Sequence, residues 1–112
     1  MKRTQDYIGE FEELVLLAIR ALGTDAYGTT IIEALESAGR RVSIGALYAT
    51  LARLEDKQLI SSWLADPTSE RGGRAKKYFK LNTSGIAAIQ EAERTRRKLA
   101  PQLALNYKGQ MT

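Results

Sequence analysis

Apolar residues recur at three- and four-residue spacings through most of the first half of the chain. Between Ile8 and Leu22, Phe11, Val15, Ala18 and Leu22 form one stripe, and Leu14, Leu17 and Ala21 form a second; from Leu14 to Leu22 only Arg20 is charged. This spacing predicts a helix over residues 8–22 that is buried on more than one side. A small domain covers one side of such a helix. Either a partner chain covers the other, or the helix is the central element of its own core. Residues from Gly23 to Tyr27 read as a turn. A short helix follows from about Thr29 to Ser37, with Ile31, Ile32 and Leu35 inward and Gly39 placed just past its end, where glycine commonly stops a helix. A third helix starts after Ser43, an N-cap residue by type, and carries Ile44, Leu47, Tyr48, Leu51 and Leu54 on one side.

The period then changes. "LISSWLA" and "RAKKYFKLN" read as two short strands on either side of "DPTSERGG", a tip rich in Pro, Gly and Ser. Thr83 opens a last helix. Ile89, Ala92, Leu99 and Leu103 repeat on one side of it as a coiled-coil-like seam, and Arg96 occupies the skipped position. Pro101 has no N–H to donate, so this helix is expected to kink or end near Ala100. The pattern predicts a mostly α fold with a small β-hairpin (α+β), divided into a domain over residues 1–82 and a helix and tail over residues 83–112.

Composition narrows the chemistry. The 112 residues suit one compact domain, and 44% hydrophobic with 27% charged is ordinary for a globular protein. There is no cysteine and no histidine, which removes thiol chemistry, disulfides and histidine-based metal or acid–base sites. No calcium-loop pattern, Gly-rich phosphate loop or paired-carboxylate motif is present, so neither an enzyme nor a cofactor is expected. The N-terminus "MKRTQDYIGE" lacks the apolar core of a signal peptide and no run is long enough to span a bilayer; a cytoplasmic location without membrane contact is the expectation.

Charge is segregated along the chain. Residues 1–39 hold three basic and seven acidic side chains, whereas residues 40–80 hold nine basic and four acidic. Within residues 71–80 there are five basic side chains, Arg71, Arg74, Lys76, Lys77 and Lys80, and no acidic one. A run of this kind suits a polyanion, and a solvated hairpin tip is the plain alternative.

The outward side of the third helix is unusual. Where a surface helix ordinarily carries charge, its first turns present Gly45, Ala46, Ala49 and Thr50. Three helices followed by a basic hairpin is the order of a winged helix-turn-helix, whose third helix enters the DNA major groove while the wing touches backbone or minor groove. The groove is about 12 Å wide and a helix nearly fills it, so small residues at the leading end let the backbone approach the base edges. Ser43 and Thr50 can hydrogen-bond phosphates or bases, Ala46 or Ala49 can touch a thymine methyl, and Arg53 can reach phosphate or guanine. Arg71, Gly73, Arg74, Lys76 and Lys77 form the expected wing contact.

The same residues resemble PadR-like transcriptional regulators over about residues 10–93. "ELVLLAIRAL" and "AYGTTIIEALE" look like that family's first two helices and Tyr-Gly turn. "SIGALYATLARLEDKQLI", with Leu47–Tyr48 and Leu51…Leu54, is similar to its recognition helix. "RGGRAKKYFKLNTSG" resembles its wing and the start of its last helix, with Asn82 departing from the usual junction. The resemblance implies a homodimeric repressor on a palindromic operator, in which the first and last helices build the dimer. Phe11, Leu14, Val15, Ile89, Ala92, Leu99 and Leu103 are then the interface residues. It also implies a small aromatic or drug-like effector held between subunits. Tyr48 directs its hydroxyl at a phosphate or is a core tyrosine; Trp63 lines a ligand pocket or caps the core beneath the wing. The competing function is a protein-interaction module on the same scaffold without specific DNA binding.

Overall fold

The computed structural model describes residues 8–65 and 75–111, with residues 101–111 as backbone alone. The elements run α1 (Glu10–Leu22), a 3-10 turn (Gly23–Asp25), α2 (Gly28–Ser37), α3 (Ile44–Asp56), β1 (Ile60–Leu64), β2 (Lys77–Leu81) and α4 (Thr83–Met111).

Helix α1 begins two residues later than its apolar pattern, because Gly9 is extended and the Gly9 N–H donates to Glu12 Oε1 at 2.8 Å. Glu10, Glu12 and Glu13 occupy its first turn, where carboxylates oppose the positive end of the helix dipole. Val15, Leu16, Ala18 and Ile19 are buried, and α1 packs against α2, α3, β2 and α4, so it is the central core helix. Its second stripe is less covered: Leu14 and Leu17 are half-buried and Ala21 is exposed.

Both short connections depend on a left-handed residue. Gly39 (φ 94°) lets the Arg40 N–H return to Leu35 O at 2.8 Å and closes α2. Gln58 (φ 64°) plays the same part after α3, where the Leu59 N–H donates to Leu54 O at 2.9 Å. The chain thus leaves α3 abruptly and enters β1.

Strands β1 and β2 are antiparallel, with Ile60 opposite Leu81 and Trp63 opposite Tyr78. Ile60 and Phe79 turn inward to join Ile31, Leu35, Leu47, Leu51, Leu54 and Ile89 in one core. An isolated bridge between Tyr27 and Tyr78, with Phe79 N–H donating to Ala26 O at 2.9 Å, ties the hairpin root to the turn before α2. Asn82 closes the far side: its N–H donates to Leu59 O at 2.9 Å and its amide nitrogen to Gln58 O at 3.0 Å.

Of the two alternatives expected at Pro101, a kink or an end near Ala100, the end is corrected: the helix continues through Pro101 to Met111. Proline removes one helical hydrogen bond, the one to the Arg97 carbonyl. The side chains from Arg94 to Ala100 are all exposed, so water can satisfy that carbonyl. At 1.5 Å per residue, α4 is about 43 Å long, more than the winged domain can cover. The molecule is accordingly elongated, 63 × 36 × 22 Å, with a radius of gyration of 17.1 Å. A compact domain of this length would be about 13 Å.

Candidate nucleic-acid interface

Helix α3 buries Leu47, Leu51 and Leu54 and turns Gly45, Ala46, Ala49 and Ala52 to solvent. Ser43 caps it, its Oγ accepting from the Ala46 N–H at 3.1 Å. Ile44, expected on the inward stripe, is instead 62% exposed at the leading end. A Cβ on Gly45 would meet nothing within 4 Å, and its backbone is not left-handed. Among the described residues neither packing nor conformation asks for a glycine there.

Tyr48 borders this face. It is 44% exposed, and its hydroxyl lies over Gly28 at the start of α2, where a Cβ would run into it. The ring is therefore a surface element seated on α2, not a core tyrosine. Beside it lies an aromatic cluster at the wing root. Tyr27 and Tyr78 meet edge to face at 5.2 Å, Trp63 stacks on Tyr78 at 5.8 Å, and Lys76 Nζ sits 4.3 Å over the Tyr27 ring. Trp63 is half-exposed and covers its cross-strand neighbour rather than the helical core. Lys76 and the Tyr48 hydroxyl thus meet neighbouring residues, Tyr27 and Gly28, at the same α2 N-terminus. Lys77 is drawn to the other side, 3.9 Å from Glu55. Arg71, Gly73 and Arg74 lie outside the described residues.

Thr50 does not belong to the small exposed face. It is 2% exposed and its Oγ1 accepts from Arg53 Nη2 at 3.1 Å. The expected direct contact of Thr50 with DNA is corrected on this ground: the residue sits between Leu47 and Leu54 on the inward side, and its hydroxyl is used internally. Arg53 remains half-exposed, but its Nε also donates to Glu12 Oε2 at 3.4 Å. Glu12 is nearly fully buried and takes Lys57 Nζ at 2.9 and 3.0 Å. Burial pushes the Glu12 carboxyl upward. The Lys57 hydrogen bond, the Gly9 N–H, the Lys57 charge and the Arg53 hydrogen bond outweigh it, and the group titrates below the ordinary 4.5.

Sequence reasoning missed Glu12 and Lys57. The available signals were the Gly9–Glu12 spacing of a helix start and the four-residue spacing of Arg53 and Lys57 on one side of α3.

The residues expected at a dimer interface divide. Val15 and Ile89 are completely buried within the chain, so their assignment to an interface is corrected: they are core. Phe11, Leu14 and Ala92 are half-buried. Leu99 is 57% exposed, and the Leu103 side chain lies outside the described residues. Arg96, which interrupts the apolar seam of α4, donates to Glu13 at 2.6 and 3.2 Å and, with the Arg20–Glu93 pair at 3.2 Å, holds α4 across α1.

Among the described residues no group of carboxylates could hold a metal ion, and no helix is long and apolar enough to cross a membrane. An open depression of about 490 Å³ beside β1 is polar, and its groups satisfy one another, with Ser62 donating to Glu55 at 2.5 Å and Ser61 to Asn82 at 2.6 Å.

A three-helix core, a hairpin wing and a small-faced third helix beside that wing define a winged helix-turn-helix protein. The model of the transcriptional regulator PadR-like family matches residues 15–91, and the chain belongs to that family. The transcriptional regulator Rv3488 of Mycobacterium tuberculosis is 34% identical over 82 residues, 71% of each chain. A PadR family transcription regulator from Clostridium difficile shares the fold with a TM-score of 0.75 at 20% identity, over 88% of this chain and 99% of that one. Bacillus subtilis PadR, solved in complex with operator DNA, matches with a TM-score of 0.61 at 18% identity, over 72% of this chain and 45% of that one.

Proposed function

We propose that the protein is a sequence-specific DNA-binding repressor that acts as a homodimer on a two-fold operator. Gly45 carries this reading. It is a residue with open space around it and an ordinary backbone, on a helix face otherwise made of exposed alanines. No described residue demands smallness there, and a duplex groove would. Lys76 over Tyr27, next to the Gly28 that the Tyr48 hydroxyl of α3 overlies, supplies positive charge, and the operator complex of the Bacillus subtilis relative supports the same mode. Exposed Leu99 on the projecting part of α4 and the half-buried second stripe of α1 support a partner copy. The two α3 helices of such a dimer would enter successive major grooves about 34 Å apart. Release by a small aromatic ligand is the finer part of the proposal, and the half-exposed Trp63 stacked on Tyr78 supports it.

Footprinting on the DNA upstream of the protein's own gene tests this reading. Two protected half-sites about one helical turn apart are expected. Protection of a single half-site, or none, contradicts it.

A further inference from the structure

Arg53 is held along one edge only. Its Nε donates to Glu12 and its Nη2 to Thr50, and these two nitrogens share one side of the guanidinium plane. The opposite edge, formed by Nη1 and the second hydrogen of Nη2, has no protein partner among the described residues, and the side chain is 56% exposed. The holding groups are themselves fixed. Thr50 is enclosed, and Glu12 is pinned by the Gly9 N–H and by Lys57. Lys57 lies nearer to Glu12 than Arg53 does, 2.9 Å against 3.4 Å, so the Glu12 charge is answered mainly by Lys57. The positive charge of Arg53 stays available to a second anion.

We infer that Glu12 and Thr50 are positioning residues, which clamp one edge of the Arg53 guanidinium so that the other is presented outward as a ready two-pronged donor. Such an edge fits a pair of phosphate oxygens or the O6 and N7 of guanine. A free arginine loses much rotamer freedom on binding, and a guanidinium already held in place loses less. This inference rests on the proposal that α3 contacts DNA. It gives Thr50 a role through Arg53 instead of a contact of its own.

The test is a double-mutant cycle, read as binding of the full-length protein to the upstream duplex that wild type protects. Thr50→Val should weaken binding about tenfold, the size of one hydrogen bond to a charged group. In an Arg53→Ala background the same change should cost less than about twofold, because the residue it acts through is gone. Thr50→Ser, which keeps the hydroxyl, should restore binding. Glu12→Gln should follow the pattern of Thr50→Val. Equal losses in both backgrounds, or no loss in either, would overturn the inference and leave DNA binding by α3 intact. Glu12→Gln that tightened binding in both backgrounds would mark Glu12 as a repelling charge and overturn its part. Absence of wild-type binding to any upstream duplex would overturn both this inference and the function it rests on.

Discussion

The Tyr48 hydroxyl occupies the space that a side chain on Gly28 would fill, and a Cβ there would also come within 3.0 Å of Cζ of the same ring. Gly28 has no left-handed backbone, so its glycine is required by this neighbour alone. Alanine is otherwise the better helix residue by up to about 1 kcal/mol. Gly28→Ala should therefore destabilise the wild-type protein, and stabilise a Tyr48→Ala variant in which the ring is absent. A coupling of about 1 kcal/mol or more between the two sites is expected from urea unfolding. Additive effects would show that the ring swings away without cost.

Gln58 offers a stabilising change. A non-glycine residue at φ 64° carries left-handed strain of about 1 kcal/mol. Gln58→Gly should raise the urea midpoint by an amount of that order. A lowered midpoint would mean that the Gln58 side chain contributes more than the strain it carries.

Glu12 should make stability depend on acid. Its pKa is lowered in the folded protein, so its contribution is complete above the ordinary value of 4.5 and is lost as pH falls through the lower folded value. At neutral pH, Glu12→Gln should cost about 1–3 kcal/mol, the cost of weakening a buried charged hydrogen-bond network. The difference from wild type should shrink as pH drops below 4.5. Urea midpoints from pH 7 to pH 3 measure it, and a constant difference would contradict the assigned network.

Leu99 tests the proposed dimer. The residue is 57% exposed in the single chain, so Leu99→Asp should change monomer stability little, by about 0.5 kcal/mol or less. Sedimentation should show a largely monomeric variant with weakened DNA binding. An unchanged dimer would move the interface elsewhere.

The elements were legible because each states its boundary locally. Ser43 caps α3, Gly39 stops α2, and the alternation around "RAKKYFKLN" marks β2. The errors arose where one position serves two elements distant in sequence. Thr50 follows Leu47 by three and precedes Leu54 by four, so its spacing already placed it inward. Its polarity suggested otherwise, although Arg53, whose Nη2 makes the buried hydroxyl acceptable, stands only one turn further along α3; what lay far away in the sequence was Glu12, which holds Arg53 over it. Val15 and Ile89 failed for a related reason. A helix with two apolar stripes does not say which one meets its own core and which is left over. Pro101 does not end α4, because the cost of proline depends on whether the orphaned carbonyl reaches water, and that is a property of the projecting α4 as a whole.

The central claim is that the small face of α3 is small because DNA approaches it. Ala46 is exposed on that face, away from the buried stripe, so Ala46→Glu adds bulk and negative charge with no consequence for the core. Binding of this variant to the upstream duplex, measured by anisotropy beside its thermal melt, is the most direct test. Loss of binding with an unchanged melting temperature is the predicted result. Wild-type affinity in Ala46→Glu would contradict the claim, and α3 would then not be the helix that reads DNA.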